Sequence, residues 1–222
     1  ISGQLGASGF TDPELYDSMK LCVGCKGCKR ECPTGVDMAK MKVEFLHHYH
    51  QSHNRSFRDH LLSSLPKYAP VLSRFSPIVN TVGSSLLGRT FADKILGLSA
   101  KRSLPIWHRA SRQKQDVCVG SGDLGDVVLF ADTFNRYFEP DNLSAAIEVL
   151  TAAGFKVHQP VAADGEARPL CCGRTYLSTG MVDKARAEAN RTIKAFKPYL
   201  QKKIPILGLE PSCLFTFKHE FL

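Results

Sequence analysis

In the second half of the chain an unbroken apolar run, residues 127–131, lies between Asp126 and Asp132. A run apolar on both faces reads as a buried strand. Pro140, Asp141 and Asn142 then start a helix whose apolar positions are Leu143, Ile147 and Leu150, and Gly154 stops it. Residues 155–158 form a second strand. A loop through Cys171-Cys172-Gly173 leads to a longer helix with the apolar stripe Met181, Ala185, Ala189, Ile193, Phe196 and Leu200, and residues 204–209 make a third strand. Strand, helix, strand, helix, strand at this spacing predicts a parallel sheet with right-handed crossovers.

The first half alternates differently. A short helix runs from the Thr11-Asp12-Pro13 start signal to Lys20. Another begins near Val36-Asp37 and places Met38, Met41, Phe45 and Tyr49 on one face. Residues 55–110 are apolar and basic, and Pro66, Pro70 and Pro77 divide them into short amphipathic helices. These helices carry Arg74, Arg89, Lys94, Lys101, Arg102, Arg109 and Arg112. The pattern divides the chain into a helical segment (11–54), a helical connector (55–115) and an α/β domain (116–222), α+β overall. Both ends read as cut from something longer.

Composition narrows the class. The 222 residues are 43% hydrophobic and 23% charged, as in a soluble globular protein. No apolar run approaches the length of a membrane span, and no signal peptide is visible. The formal charge of +8 suits an anionic membrane surface or an acidic redox partner. Without a nucleic-acid-binding motif or aromatic–basic alternation, nucleic acid is excluded as the partner. The apolar connector suits packing against a partner domain, or a peripheral membrane or quinone contact.

Cysteine spacing changes the picture most. Cys22, Cys25, Cys28 and Cys32 followed by Pro33 form C-x2-C-x2-C-x3-C-P, the ferredoxin-type run that ligates an iron–sulfur cluster. Three thiolates must wrap one compact object, so Gly24 and Gly27 are expected to let the backbone bend close to sulfur. Lys26, Lys29 and Arg30 would offset the cluster's charge. The Met38 to Tyr49 face is expected to cover it from solvent. Structural zinc would use two separated knuckles, and a disulfide framework belongs to small secreted domains. Cytoplasmic thiol usage fits better. His47, His48, His50 and His53 read as a polar helix end rather than a metal site, since no second ligand type is near in sequence.

A second constellation follows from the sheet. Sites in open parallel sheets form outside the carboxyl ends of the strands. Asp132-Thr133, Cys171-Cys172-Gly173 and Glu210-Pro211-Ser212-Cys213 all fall at such ends. Cys171, Cys172 and Cys213 are therefore expected to share one rim as a metal, cluster or thiol-redox site, with two sulfurs within about 4 Å of each other. Cys118 reads as a plain small core residue. Gly120-Ser121-Gly122-Asp123-Leu124-Gly125 matches G-x-G-x-x-G but runs into a strand instead of following one, so it reads as a loop.

The segment LCVGCKGCKRECPTGVDMAKMKVEFLHHY resembles the iron–sulfur region behind the flavin domain of FAD-linked oxidases of the glycolate, D-lactate and D-2-hydroxyglutarate type. DTFNRYFEP, PLCCGRTYLSTG and LEPSC resemble the cysteine-rich CCG domain of those enzymes, which also occurs in heterodisulfide reductase and in the iron–sulfur subunit of anaerobic glycerol-3-phosphate dehydrogenase. The resemblance implies a helical, ferredoxin-like [4Fe-4S]-binding segment, then a first, truncated CCG-type α/β domain. Only one CCG copy is present, Cys213 stands alone where the fuller pattern has C-x-x-C, and there is no second cysteine run. Cys32 either completes the one cluster or serves another whose ligands lie upstream. FAD is expected in an upstream domain or flavoprotein subunit, and a quinone or carrier protein as acceptor, in the cytoplasm or at the inner face of the membrane. The implied role is electron transfer within a 2-hydroxyacid dehydrogenase. The alternatives are a heterodisulfide-reductase-like thiol/disulfide subunit and a redox-sensing cluster protein.

Overall fold

The computed structural model describes residues 6–110, 116–166 and 168–221; Arg112 lies outside them. After a 3-10 turn (Gly6–Thr11) come α1 (Pro13–Lys20), α2 (Gly27–Glu31), α3 (Met38–Ser52) and α4 (Phe57–Ser63). Three helices follow: α5 (Leu65–Arg74), α6 (Ser76–Ser84) and α7 (Leu86–Leu96). Then come β1 (Val117–Val119), β2 (Asp126–Phe130), α8 (Thr133–Tyr137), α9 (Pro140–Ala152) and β3 (Lys156–Gln159). The chain ends through α10 (Arg174–Leu177), α11 (Val182–Gln201), β4 (Ile206–Gly208) and α12 (Pro211–His219). It divides into two compact units, Ile1–Ser63 with Gly173–Arg186, and Ser64–Cys172 with Ala187–Leu222.

In the first unit, Asp12 caps α1 by accepting the N–H groups of Glu14 and Leu15 at 2.8 and 2.9 Å, with Pro13 opening the helix. Asp37 caps α3 through the Lys40 N–H at 3.0 Å. The expected α3 face is real, but it packs against α1. Phe45, Leu46 and Tyr49 form a core with Met19, flanked by Leu15, Tyr16 and Met38. Tyr16 stacks on Tyr49 with ring centroids 4.4 Å apart. The 173–186 segment is tied into this unit by backbone-directed bonds. Thr175 Oγ1 donates to the Ser63 carbonyl at 2.9 Å, and the Arg55 guanidinium donates to the carbonyls of Thr179 and Gly180.

In the second unit the sheet order is β1-β3-β2-β4, with β2 parallel to both β3 and β4 and β1 antiparallel to β3. The three expected strands are the parallel ones. The sheet as a whole is mixed, because β1 adds an antiparallel edge that the hydrophobic pattern did not predict. Its residues are all exposed, so it lacks the buried run that marks a strand in sequence. Cys118, expected in a core, lies exposed on that edge. The G-x-G-x-x-G segment is indeed a loop, joining β1 to β2.

Alternation along β2 builds the layers. Val127 and Leu129 face α9 through Leu143, Ile147 and Leu150. Val128 and Phe130 face α11 and α12 through Phe196 and Phe217. Burying each such side chain contributes roughly 1.5–3 kcal/mol. On α11 the buried face is Ala185, Glu188, Ala189, Thr192 and Phe196, while Ile193 and Leu200 are exposed. Steps of four residues run ahead of a 3.6-residue turn, so the face returns at Thr192 rather than Ile193.

The connector helices also differ in detail from expectation. Pro66 and Pro77 open α5 and α6, but Pro70 lies inside α5. A proline there forfeits one bond, to the carbonyl four residues back, and burial of Pro66, Ala69 and Ser73 on the same helix outweighs that loss.

Gly180 provides a test. It sits at φ +70°, and a Cβ there would stand 2.6 Å from Leu46 Cβ and 2.7 Å from His47 N. Gly165 has φ +74°, and a Cβ added there would meet nothing within 4 Å. Gly165→Ala should therefore carry only the left-handed backbone cost, about 1–2 kcal/mol. Gly180→Ala adds overpacking and should cost roughly 3 kcal/mol or more. Denaturant unfolding of the two variants checks the order; equal losses would contradict the packing.

Candidate functional site

The cysteine run begins where α1 stops. The Cys22 N–H donates to the Met19 carbonyl at 3.2 Å, and Lys42 Nζ donates to the Cys22 carbonyl at 2.6 Å, pinning the loop's entry to α3. Gly24 (φ +70°) and Lys26 (φ +60°) then take left-handed conformations that fold the loop back into α2. Gly27 is not left-handed, and a Cβ there would make an ordinary contact 3.6 Å from Cys25 Sγ. Only Gly24 answers the expected need for a glycine backbone. Cys25 is exposed, and Cys22, Cys28 and Cys32 are half-buried. Arg174 NH2 donates to the Gly24 carbonyl at 3.4 Å, bringing the 173–186 segment of the same unit beside the loop.

The sulfurs have donors aimed at them. The Met38 N–H at the start of α3 lies 3.3 Å from Cys28 Sγ. The Thr34 hydroxyl is 3.0 Å from Cys32 Sγ. That hydroxyl first, then the N–H groups of Val36, Thr34 and Gly35, hold the Cys32 thiol below its ordinary pKa. Donors that favour thiolate sulfur are what an iron–sulfur cluster needs around its ligands, so the residues present fit the group. The charges are partly committed elsewhere. Lys29 lies 3.6 Å from Asp37, and Arg30 3.6 Å from Glu31. Burial works against the Asp37 carboxylate, yet the Lys40 N–H and the charges of Lys26 and Lys29 bring its pKa below the usual range.

The histidines on α3 and at its C-terminal cap make local contacts. His53 stacks on Tyr49 at 4.1 Å, His50 Nδ1 lies 3.2 Å from the His53 carbonyl, and His48 is 3.1 Å from Glu44.

The three cysteines of the second constellation lie in one buried core of the second unit. Cys171, Cys172 and Cys213 are each at most 2% exposed and share a core with Val128, Phe130 and Phe196. Cys172 Sγ lies 3.1 Å from Cys213 Sγ, beyond a disulfide bond but in contact. The Cys171 carbonyl accepts from Thr192 Oγ1 at 2.8 Å, and Glu210 caps α12 just before Cys213. No group of three or more His, Cys, Asp or Glu among the described residues is placed to hold a single metal ion.

Sequence reasoning missed the groups that position these sulfurs. Thr34, two residues past Cys32, is a local hydroxyl turn that spacing could have suggested. The Met38 amide had no side-chain signal. Glu188, on the buried face of α11, was legible as a misplaced charge once the stripe was drawn with the right period.

No protein-family model matches the chain, and no solved structure matches it. Among curated proteins it is 27% identical to D-2-hydroxyglutarate dehydrogenase of Pseudomonas putida, over 94% of this chain and 21% of that protein. With the Escherichia coli protein of the same name the identity is 23%, over the same shares. One subunit of the anaerobic glycerol-3-phosphate dehydrogenase of Escherichia coli is 28% identical, over 75% of this chain and 41% of the subunit. The chain spans about a fifth of the length of the D-2-hydroxyglutarate dehydrogenases it matches. Along nearly its whole length the chain is thus a homologue of part of the D-2-hydroxyglutarate dehydrogenases, and over three quarters of it a homologue of that glycerol-3-phosphate dehydrogenase subunit.

Proposed function

We propose that the chain is the electron-transfer portion of an FAD-dependent 2-hydroxyacid dehydrogenase, with Cys22, Cys25, Cys28 and Cys32 holding a [4Fe-4S] cluster. The observation that carries this reading is the set of N–H and O–H donors at Cys28 and Cys32 within a ferredoxin-type run. When bound, such a cluster carries single electrons between a flavin and an acceptor. The chain's own residues orient the thiolates, stabilise their charge through Met38 and Thr34, and so tune the potential. The flavin belongs to an upstream domain or a separate subunit; the two kinds of relative, a long dehydrogenase chain and one subunit of another dehydrogenase, support either arrangement. The acceptor is a quinone or carrier protein. Exposed Leu86 (77%), Leu87 (85%) and Phe91 (63%) support a covering partner for the connector helices. The location proposed with this role is the cytoplasm or the inner face of the membrane; no helix among the described residues is long and apolar enough to cross a membrane.

Prepared without oxygen, the protein should contain about four irons and four labile sulfides per chain. Cys25→Ser should remove most of the cluster absorbance and Cys118→Ser none of it. Stoichiometric zinc without labile sulfide would sink the assignment.

The Cys172–Cys213 contact favours a second function, thiol/disulfide chemistry within the second unit. With diamide as oxidant, the two thiols would lose two protons and two electrons to the azo group and form one S–S bond. Peptide mapping should then find Cys172 joined to Cys213, and Cys172→Ser should abolish that cross-link. A chain that keeps both thiols under conditions that oxidise Cys118 would rule this function out.

A further inference from the structure

The second unit holds a cavity of about 900 Å³ that neither the cluster loop nor the cysteine pair uses. It opens outside the carboxyl ends of the neighbouring parallel strands β2 and β3, the place where ligands enter sheets of this kind. Its floor is apolar: Phe130, Leu170 and Phe196. Its lining carries Arg74, Arg109, Arg136 and Arg168 and one carboxylate, Glu166, while Asp132 lies close enough to Arg136 to act on its charge.

The four arginines are not equivalent. Arg168 is spent on structure, since its guanidinium donates to Glu166 and, at 2.6 and 2.7 Å, to both oxygens of buried Glu188. Arg74 and Arg109 are exposed, whereas Arg136 is partly buried on α8. Arg109 is held at the cavity by its neighbours. Asn80 accepts the Trp107 N–H and donates to the Trp107 carbonyl, both at 2.8 Å, and the His108 N–H donates to the Tyr137 carbonyl at 2.8 Å. Arg74 ends α5, whose Pro70 and Val71 also line the space. Guanidinium groups gathered around one cavity repel one another, and an anion placed among them offsets that repulsion. Their planar forks suit carboxylate or phosphate oxygens, and the cavity's volume suits a small molecule.

We infer that this cavity is a binding site for a small molecule bearing two or more anionic oxygen groups, held by Arg74, Arg109 and Arg136 above the Phe130–Phe196 floor. The site is independent of the cluster and of the proposed electron-transfer role.

Calorimetric titration of the whole chain with glutarate and with pyrophosphate, at constant ionic strength, tests it. Saturable binding of either probe is expected. A preference for glutarate identifies carboxylate as the recognised group, and a preference for pyrophosphate identifies phosphate. Arg109→Gln and Arg74→Gln, both at exposed positions, should each weaken binding about tenfold, and Arg136→Gln more. Arg102→Gln, exposed but outside the cavity, should change nothing. The inference falls if neither probe binds, or if binding survives the Arg74 and Arg109 substitutions undiminished.

Discussion

The second unit is built around one buried carboxylate. Asp132, 1% exposed, stands just past β2 and accepts the N–H groups of Phe134 at 2.8 Å and Asn135 at 3.1 Å. Its other oxygen takes the Asn135 side-chain amide at 2.7 Å. Burial pushes the Asp132 pKa up, these donors pull it down, and the charge of Glu210 adds to the rise. Burial wins, so the carboxylate is held at a cost that only its full set of donors makes bearable. What that cost secures is geometry. The chain leaves the sheet at a fixed residue, α8 starts at once, and Ala131, Arg136 and Tyr137 are delivered to the cavity wall.

Much of this unit was legible in the sequence, for a simple reason. A strand buried on both faces must be apolar at every position, and residues 127–131 are. β1 was illegible for the converse reason: at three exposed residues it carries no burial signal, and what joins it to β3 is backbone pairing, which no residue type announces. Pro70 shows a different limit. Local chemistry predicts a break, but the loss of one hydrogen bond, about 1 kcal/mol net, is small beside the packing of a helix face. On α11 the type of element was clear, and the phase of its stripe was not, because a small error in period accumulates over 20 residues.

The candidate cluster site divides along the same line. Ligand identity is carried by cysteine spacing and could be read directly. The groups that act on the ligands are backbone amides and one hydroxyl, Met38 N–H and Thr34 Oγ1, and amides have no letter in a sequence. The meeting of Cys172 and Cys213 was reachable only through topology, since 41 residues separate them. Both β3, which precedes Cys172, and β4, which precedes Cys213, run parallel to β2, so the segments that follow them leave the same edge of the sheet.

The loop before Cys171 is held by charge as well as by the packing of Leu170. Glu188, 3% exposed, receives Arg168 and Arg191; Arg191 also contacts Asp164 and donates to the carbonyls of Arg168 and Pro169 at 2.9 and 2.8 Å. Two guanidiniums here face three carboxylates, Asp164, Glu166 and Glu188, so every charge has a partner. Such a network adds little net stability over apolar packing, but removing Arg168 or Arg191 takes a partner from buried Glu188, and a buried charge left without its partner costs roughly 3–5 kcal/mol. Its effect is therefore positional. Asp164, Glu166, Arg168 and Pro169 are all held by these bonds, and Cys171-Cys172 follows shortly after them. One ion cluster thus sets both a wall of the arginine cavity and the position from which Cys172 meets Cys213.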